Sequence, residues 1–170
     1  MFSRNPKVKR DLSDVYICPV THSRLNYENV VHRRGGVDQF DIVSELGQRY
    51  AVRGGIPVFL PEAMLSAGEH QTQSAYDAFA DQKYDDAMDW QYRCFYEDED
   101  EVREKMIRLL DLRPDSRVLE IGSGTGRDSF RIARKLGERG EFFVQDLSEQ
   151  MVLKARDRLD TACDTLGLKP

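Results

Sequence analysis

The sequence turns on one stretch: Val118-Leu119-Glu120-Ile121 runs into Gly122-Ser123-Gly124-Thr125-Gly126 and then Arg127-Asp128-Ser129-Phe130. A short apolar run that ends in glycines at alternate positions reads as a buried parallel strand entering a tight loop, with a helix to follow. Glycine suits such a loop because the main chain must turn sharply and a Cβ would block a ligand pressing against it. A pocket of this kind lies at the carboxyl end of a strand and takes a nucleotide-like molecule. Few other local patterns restrict the fold so strongly, since they need a parallel neighbour strand and a crossover helix.

Spacing narrows the ligand. The dinucleotide fingerprint is G-x-G-x-x-G, so after Gly122 and Gly124 it requires glycine at 127, where the chain has Arg127. Glu120, two residues before the first glycine, is an acceptor and suits a ligand carrying an ammonium group better than a pyrophosphate. Phe142-Phe143-Val144-Gln145-Asp146-Leu147-Ser148 reads as a second strand ending in an acid, and Asp146 lies 20 residues past Gly126, about where an acid grips ribose hydroxyls.

Together these residues resemble the class I S-adenosylmethionine-dependent methyltransferases. The resemblance implies that the E-x-G-x-G-x-G loop cradles methionine and adenosine and that the acid after the second strand binds the ribose. Carried over by position, the cofactor-binding residues are Glu120, Gly122, Ser123, Gly124 and Gly126 in the first motif and Asp146 and Leu147 in the second, with S-adenosylmethionine as cofactor. Gln145 departs from the pattern, which usually has an apolar residue there. Methyl transfer from a sulfonium needs alignment and shielding more than proton transfer. No catalytic base is therefore assigned, and the methyl acceptor is open, with a small molecule favoured. A nicotinamide-dependent oxidoreductase is the competing enzyme reading, and Arg127 speaks against it.

The chain has 170 residues, 40% hydrophobic and 32% charged, which describes a soluble globular protein. No apolar run approaches the ~20 residues of a membrane span, so no membrane partner is expected. Met1-Phe2-Ser3-Arg4 begins no signal peptide, so the cytoplasm is the expected location. A net charge of −5 disfavours nucleic acid as a general partner. Cys18, Cys94 and Cys163 are widely spaced and odd in number, which is no disulfide framework.

Four regions are expected: a flexible amino terminus over 1–13, a small β-rich domain over 14–61, a linker helix over 62–71 and a cofactor-binding domain over 72–170. The β-rich stretch is built of short apolar segments, Val15 to Cys18, Tyr27 to Val31, Phe40 to Val43, Gln48 to Val52 and Pro57 to Leu60, with Gly35-Gly36 and Gly54-Gly55 as turns. Its Cys18-Pro19 start and its Tyr50-Ala51-Val52-Arg53-Gly54-Gly55-Ile56-Pro57-Val58 ending resemble the small zinc-ribbon-like domain that partners and activates methyltransferases. A ribbon metal site wants two pairs of Cys or His. Only Cys18 and His22 form a candidate pair, Val43 to Gly47 holds no cysteine, and His32 would need an unusual geometry. The expectation is a metal-free fold in which Cys18 is a small buried hydrophobe.

Pro61 to Gly68 reads as the linker helix, with proline in its first turn and glycine past its end. Aromatics among acids follow, and helices are expected near Ser74 to Asp81 and Ala87 to Tyr96, the resemblance implying that a tyrosine such as Tyr76 can touch the cofactor. Asp98 to Leu110 is amphipathic, with Val102, Met106, Leu109 and Leu110 on one face and acids at the amino end, where the helix dipole favours them. Phe130, Ala133 and Leu136 form the stripe of the helix after the glycine loop, which Gly137 ends. Ser148 caps a last helix whose Val152, Ala155, Leu159 and Ala162 face inward. Only two strand-helix steps are present. The fold class expected is α/β: an incomplete Rossmann-like methyltransferase sheet, its first two strands, behind a small mostly β domain. Such a chain alone should lack turnover and is prone to self-association. It is either part of a longer enzyme or a non-catalytic adaptor that docks on a separate methyltransferase through its β domain.

Overall fold

The computed structural model describes residues 15–31, 39–60, 64–80 and 82–166, and the chain divides into two compact units, Met1–Leu65 and Ser66–Pro170. The expected 1–13 segment, Gly35-Gly36, His32 and the first three residues of the Pro61 to Gly68 helix fall outside the described residues.

The first unit is built of strands. β1 (Leu25–Val31), β2 (Gln39–Ser44) and β3 (Arg49–Tyr50) form an antiparallel sheet in that order, and β4 (Val52–Arg53) pairs with β5 (Ile56–Pro57). Gly54 and Gly55, both at positive φ, close the β4–β5 hairpin, a two-residue turn that only glycine-like residues adopt readily. The β1–β2 register sets Leu25 opposite Ser44 and Tyr27 opposite Ile42, then shifts between Glu28 and Val31, where Asn29 takes a φ of 52°. Cys18, Leu25, Ile42 and Tyr50 form the core, and Tyr16, Tyr27, Phe40, Val52 and Phe59 pack around it. The rings meet at angles, Tyr27 edge-on to Phe40 at 5.0 Å and Tyr50 to Phe59 at 5.3 Å.

Val15 to Cys18, expected as a strand, is irregular chain that drops Cys18 into this core. Its main chain is tied locally instead, Cys18 N donating to Ser23 O at 3.0 Å and His22 N to Cys18 O at 2.8 Å. The thiol is fully buried, and its sulfur lies 2.8 Å from Tyr50 Oη and accepts from Thr21 N at 3.3 Å. Burial alone would raise the Cys18 thiol, but the bonds from Thr21, Tyr50 and the Val20 main chain bring it down to about 7. Tyr50 is pushed up to about 12 by burial and by its bond to that sulfur. His22 is exposed at a φ of 54°.

The second unit mixes helix and strand. Three helices, α1 (Ala67–Phe79), α2 (Gln82–Cys94) and α3 (Glu99–Leu109), precede β6 (Arg117–Ile121), α4 (Ser129–Ala133), β7 (Glu141–Gln145) and α5 (Glu149–Leu166). α1 starts with a capping box: Ser66 Oγ accepts from Glu69 N at 3.3 Å while Ser66 N donates to Glu69 Oε2 at 2.7 Å. Gly68, expected to end a linker helix, therefore sits in the first turn of α1. The reciprocal cap outweighs a glycine's cost of about 1 kcal/mol. Asp98 caps α3, accepting from Glu101 N at 3.0 Å, with Glu99, Asp100 and Glu101 in its first turn.

β6 and β7 pair in parallel, Val118 beside Phe142 and Glu120 beside Val144. Only one side of β6 is covered. Val118 and Glu120 are half-buried, whereas Leu119 is 56% and Ile121 72% exposed, so the strand is not buried on both faces as its apolar run suggests. α4 is shorter than its expected stripe and ends at Ala133. Gly137 does not terminate it but donates to Pro114 O at 2.7 Å, and a Cβ there would stand 3.2 Å from Pro114 Cβ. The buried residues of α4 are Ser129, Arg131 and Ile132 rather than Phe130, Ala133 and Leu136. α5 starts at Ser148, whose Oγ accepts from Met151 N at 3.1 Å, and buries Met151 and Ala155 most fully, with Val152, Leu159 and Ala162 at the margin. On α3, Ile107 is buried, and Met106, Leu109 and Leu110 lie exposed. Among the described residues no helix is long and apolar enough to cross a membrane.

Candidate functional site

The glycine loop is held against the end of β7. Gly122 N and Ser123 N both donate to Gln145 O, at 2.9 and 3.2 Å, and Gly126 N returns to Ser123 O at 3.0 Å. Gly124 N donates to Asp146 Oδ2 at 2.8 Å, and the other oxygen, Oδ1, accepts from Ser148 N at 2.9 Å. One carboxylate thus fixes both the tip of the loop and the start of α5.

All three glycines have positive φ, 71°, 54° and 80°, but their missing side chains answer to different neighbours. At Gly122 a Cβ would meet nothing within 4 Å. At Gly124 it would stand 3.3 Å from Tyr84 Oη. At Gly126 it would lie 2.8 Å from Ala155 Cα, which is backbone of α5 and cannot give way. The last glycine therefore permits helix packing, not the approach of a ligand, which corrects the single reason expected for all three.

Below the loop, Glu120 Oε2 accepts from Ser129 Oγ at 2.6 Å. Burial is the main force on this carboxyl and raises its pKa, with Asp128 and Asp146 adding to the rise and Ser129 and Arg103 opposing it. Two buried polar atoms near the loop, Ser123 Oγ and Asp128 Oδ1, lack a hydrogen-bond partner among the described residues. Such orphans cost free energy unless something else satisfies them.

The amino-terminal helices supply the other side. From α1, Gln73 Nε2 donates to Leu147 O at 3.1 Å, and Asp77 Oδ1 accepts from Ser148 Oγ at 2.5 Å. From α2, Tyr84 lies against Gly124, its pKa raised by burial first and then by Tyr76, with Asp146 among its neighbours. Asp85 Oδ1 accepts from Thr125 Oγ1 at 2.7 Å and its Oδ2 from Arg158 Nη2 at 2.5 Å. Arg127 reaches back to Asp85, Asp89 and Glu99. Behind this junction a groove of about 670 Å³ is lined by Asp85, Thr125, Phe130, Arg134, Lys154 and Arg158, among others.

The seven residues predicted from sequence, Glu120, Gly122, Ser123, Gly124, Gly126, Asp146 and Leu147, thus come together around the ends of two parallel strands. Sequence reasoning missed Tyr84 and Asp85. It pointed to Tyr76, which is 47% exposed, and read Arg127 only as an absent glycine. The alternation of tyrosines and acids over α2 is the signal that could have found the pair.

Comparison with known proteins finds a likeness to methyltransferases. A family model described as a methyltransferase domain matches residues 112–163. Ribosomal RNA small subunit methyltransferase H of Oceanobacillus iheyensis is 34% identical over 65 residues, 38% of this chain and 20% of that protein. The ubiquinone/menaquinone biosynthesis C-methyltransferases UbiE of Teredinibacter turnerae and Paraburkholderia phymatum are 38% and 43% identical over 53 residues, 31% of this chain and 21% and 22% of theirs. The chain spans about a fifth of the length of the curated relatives it matches. The residues that the methyltransferase-domain model matches carry both the glycine loop and the acid that closes it.

Proposed function

We propose that the second unit is the cofactor-holding part of an S-adenosylmethionine-dependent methyltransferase, with β6 and β7 as the first two strands of a Rossmann-like sheet. One observation carries the reading: the acid after β7 and the glycine loop after β6 are joined, Asp146 accepting from Gly124 N at 2.8 Å. The residues fit the cofactor. Glu120 is a half-buried acceptor suited to an ammonium group, and Ser123 Oγ is a buried hydroxyl without a partner. Gly122 has open space where a side chain would stand. Each Asp146 oxygen holds one main-chain N–H and keeps a second acceptor position for a ribose hydroxyl. Leu147 flanks the acid and Tyr84 walls the loop. When bound, S-adenosylmethionine supplies a methyl group already activated on sulfur. The chain's own task is to orient that group and exclude water, which needs no base. The acceptor suited to a chain of net charge −5 is a small molecule, as in the quinone-pathway relatives, rather than ribosomal RNA.

Titration calorimetry tests the reading. S-adenosylmethionine is expected to bind and NAD not to. Loss of two charge-assisted hydrogen bonds at about 1.5–3 kcal/mol each in Asp146→Ala should weaken binding at least ~10-fold. Unchanged affinity in that variant would sink the ribose assignment. A second reading, an adaptor that docks on a separate methyltransferase through its β unit, draws support from the two-stranded sheet and its exposed Leu119 and Ile121. Cofactor binding by the isolated chain argues against it.

A further inference from the structure

Arg127 stands where a dinucleotide site would have its third glycine, and its guanidinium turns away from the loop it follows. Nε donates to Glu99 Oε1 at 2.6 Å, and Nη2 reaches Glu99 Oε2 and Asp89 Oδ1. Nη1 donates to Asp85 Oδ1 at 3.0 Å and to Asp85 O at 3.4 Å. That makes five contacts for the five N–H donors an arginine owns. The side chain is only 15% exposed, and its carboxylate neighbours hold the guanidinium more firmly protonated than usual. Asp85 and Asp89 belong to α2 and Glu99 to α3, so one side chain ties both helices to the residue that ends the glycine loop. Tyr84, the residue before Asp85, is the one that lies against Gly124. Asp85 is gripped as well by Thr125, from inside the loop, and by Arg158 of α5, which leaves Asp89 and Glu99 as the contacts through which Arg127 links α2 to α3.

We propose that Arg127 is the positioning residue of the cofactor site: it clasps α2 and α3 onto the glycine loop and thereby sets Tyr84 as the wall beside Gly124. The inference rests on the cofactor reading above. The clasp works through its neighbours and touches no ligand. A lysine keeps the charge but offers three donors from one point, so it cannot hold three carboxylates on two helices at once. Cofactor residence, more than cofactor encounter, should then depend on Arg127, because the wall governs escape.

The chain's single tryptophan, Trp90, lies on α2 directly after Asp89, is 64% exposed and reports on the helix without any ligand. In Arg127→Lys, Trp90 anisotropy should fall, and stopped-flow dissociation of S-adenosylhomocysteine should quicken at least ~10-fold with a smaller change in association. Asp146→Ala should weaken binding with a smaller fall in Trp90 anisotropy than Arg127→Lys produces, since it loosens the loop tip but leaves the clasp in place. Asp89→Ala removes a single, half-exposed contact and should show the same pattern at lower amplitude, so it decides the matter if Arg127→Lys does not fold. In the double variant the two effects should be less than additive. Arg127→Lys and Asp89→Ala with the anisotropy and dissociation rate of the unsubstituted chain would overturn the proposal. If the unsubstituted chain binds no S-adenosylhomocysteine, the cofactor reading fails. The Trp90 response then still judges the clasp.

Discussion

Glu120 is a carboxyl whose surroundings work against its charge. Burial lifts its pKa, with Asp128 and Asp146 adding to the effect. A raised folded-state pKa means that the protonated form is favoured: the stability from this group is present at low pH and is lost as pH rises through the raised value. An ammonium group on a bound ligand reverses that preference, because it pairs with the ionised form. Affinity for S-adenosylhomocysteine is therefore expected to fall as pH drops below the raised pKa, and Glu120→Gln should flatten the profile; calorimetry at several pH values checks both. The glycines separate in the same way. Gly126→Val drives a side chain into the Ala155 backbone and should lower the melting temperature of the second unit, as overpacking typically costs 1–3 kcal/mol or more. Gly124→Val meets a tyrosine hydroxyl that can shift, and should abolish cofactor binding with a smaller loss of stability; thermal melts alongside calorimetry distinguish them. At this scale the sequence was informative about which residues matter and less so about why, since one G-x-G-x-G string conceals three different surroundings: open space, a tyrosine and a helix backbone.

Elements were legible where the signal is local and failed where a partner decides. The strand before the glycines, the acid-ended second strand, the Asp98 and Ser148 caps and the turn at Gly54-Gly55 all depend on residues adjacent in the chain. Gly137 misled because its role is set by Pro114, far away in sequence, and Gly68 because the Ser66 and Glu69 cap overrides it. The stripes of α4 and α5 shifted for a similar reason: packing favours Ile132 and Met151 over most of the residues that periodicity selected, Ala155 alone among them being fully buried. β6 is the largest departure. Its apolar run suits a strand covered on both faces, yet Leu119 and Ile121 lie open, and β7 is its sole strand neighbour among the described residues. A strand with an open edge and an apolar face can pair with another copy of the chain. Sedimentation is expected to show concentration-dependent association that Ile121→Lys reduces, and a monomer at all concentrations would count against this.

At the scale of the molecule, the two units are expected to open independently, and the cysteines allow this to be seen. Cys18 lies in the core of the first unit, while Cys94 is exposed and Cys163 intermediate in the second. With its thiol brought to about 7, Cys18 has thiolate to offer at neutral pH but no access. Alkylation should modify Cys94 first and Cys18 only as the first unit opens, which peptide mass spectrometry over time would follow; rapid modification of Cys18 would contradict the packing described. Arg127 carries a different lesson for anyone who would redesign this protein. On paper, Arg127→Gly completes a G-x-G-x-x-G string with a single change. In the folded chain the same change strips away the cation that Asp85, Asp89 and Glu99 share: Asp85 keeps Arg158 and Glu99 keeps Arg103, but Asp89 loses its ion pair and the tie between α2 and α3 goes. The route to another cofactor thus costs helix packing at its first step: a compensating change at Asp89 on α2 would best come before the glycine, so the order of mutations matters as well as their identity.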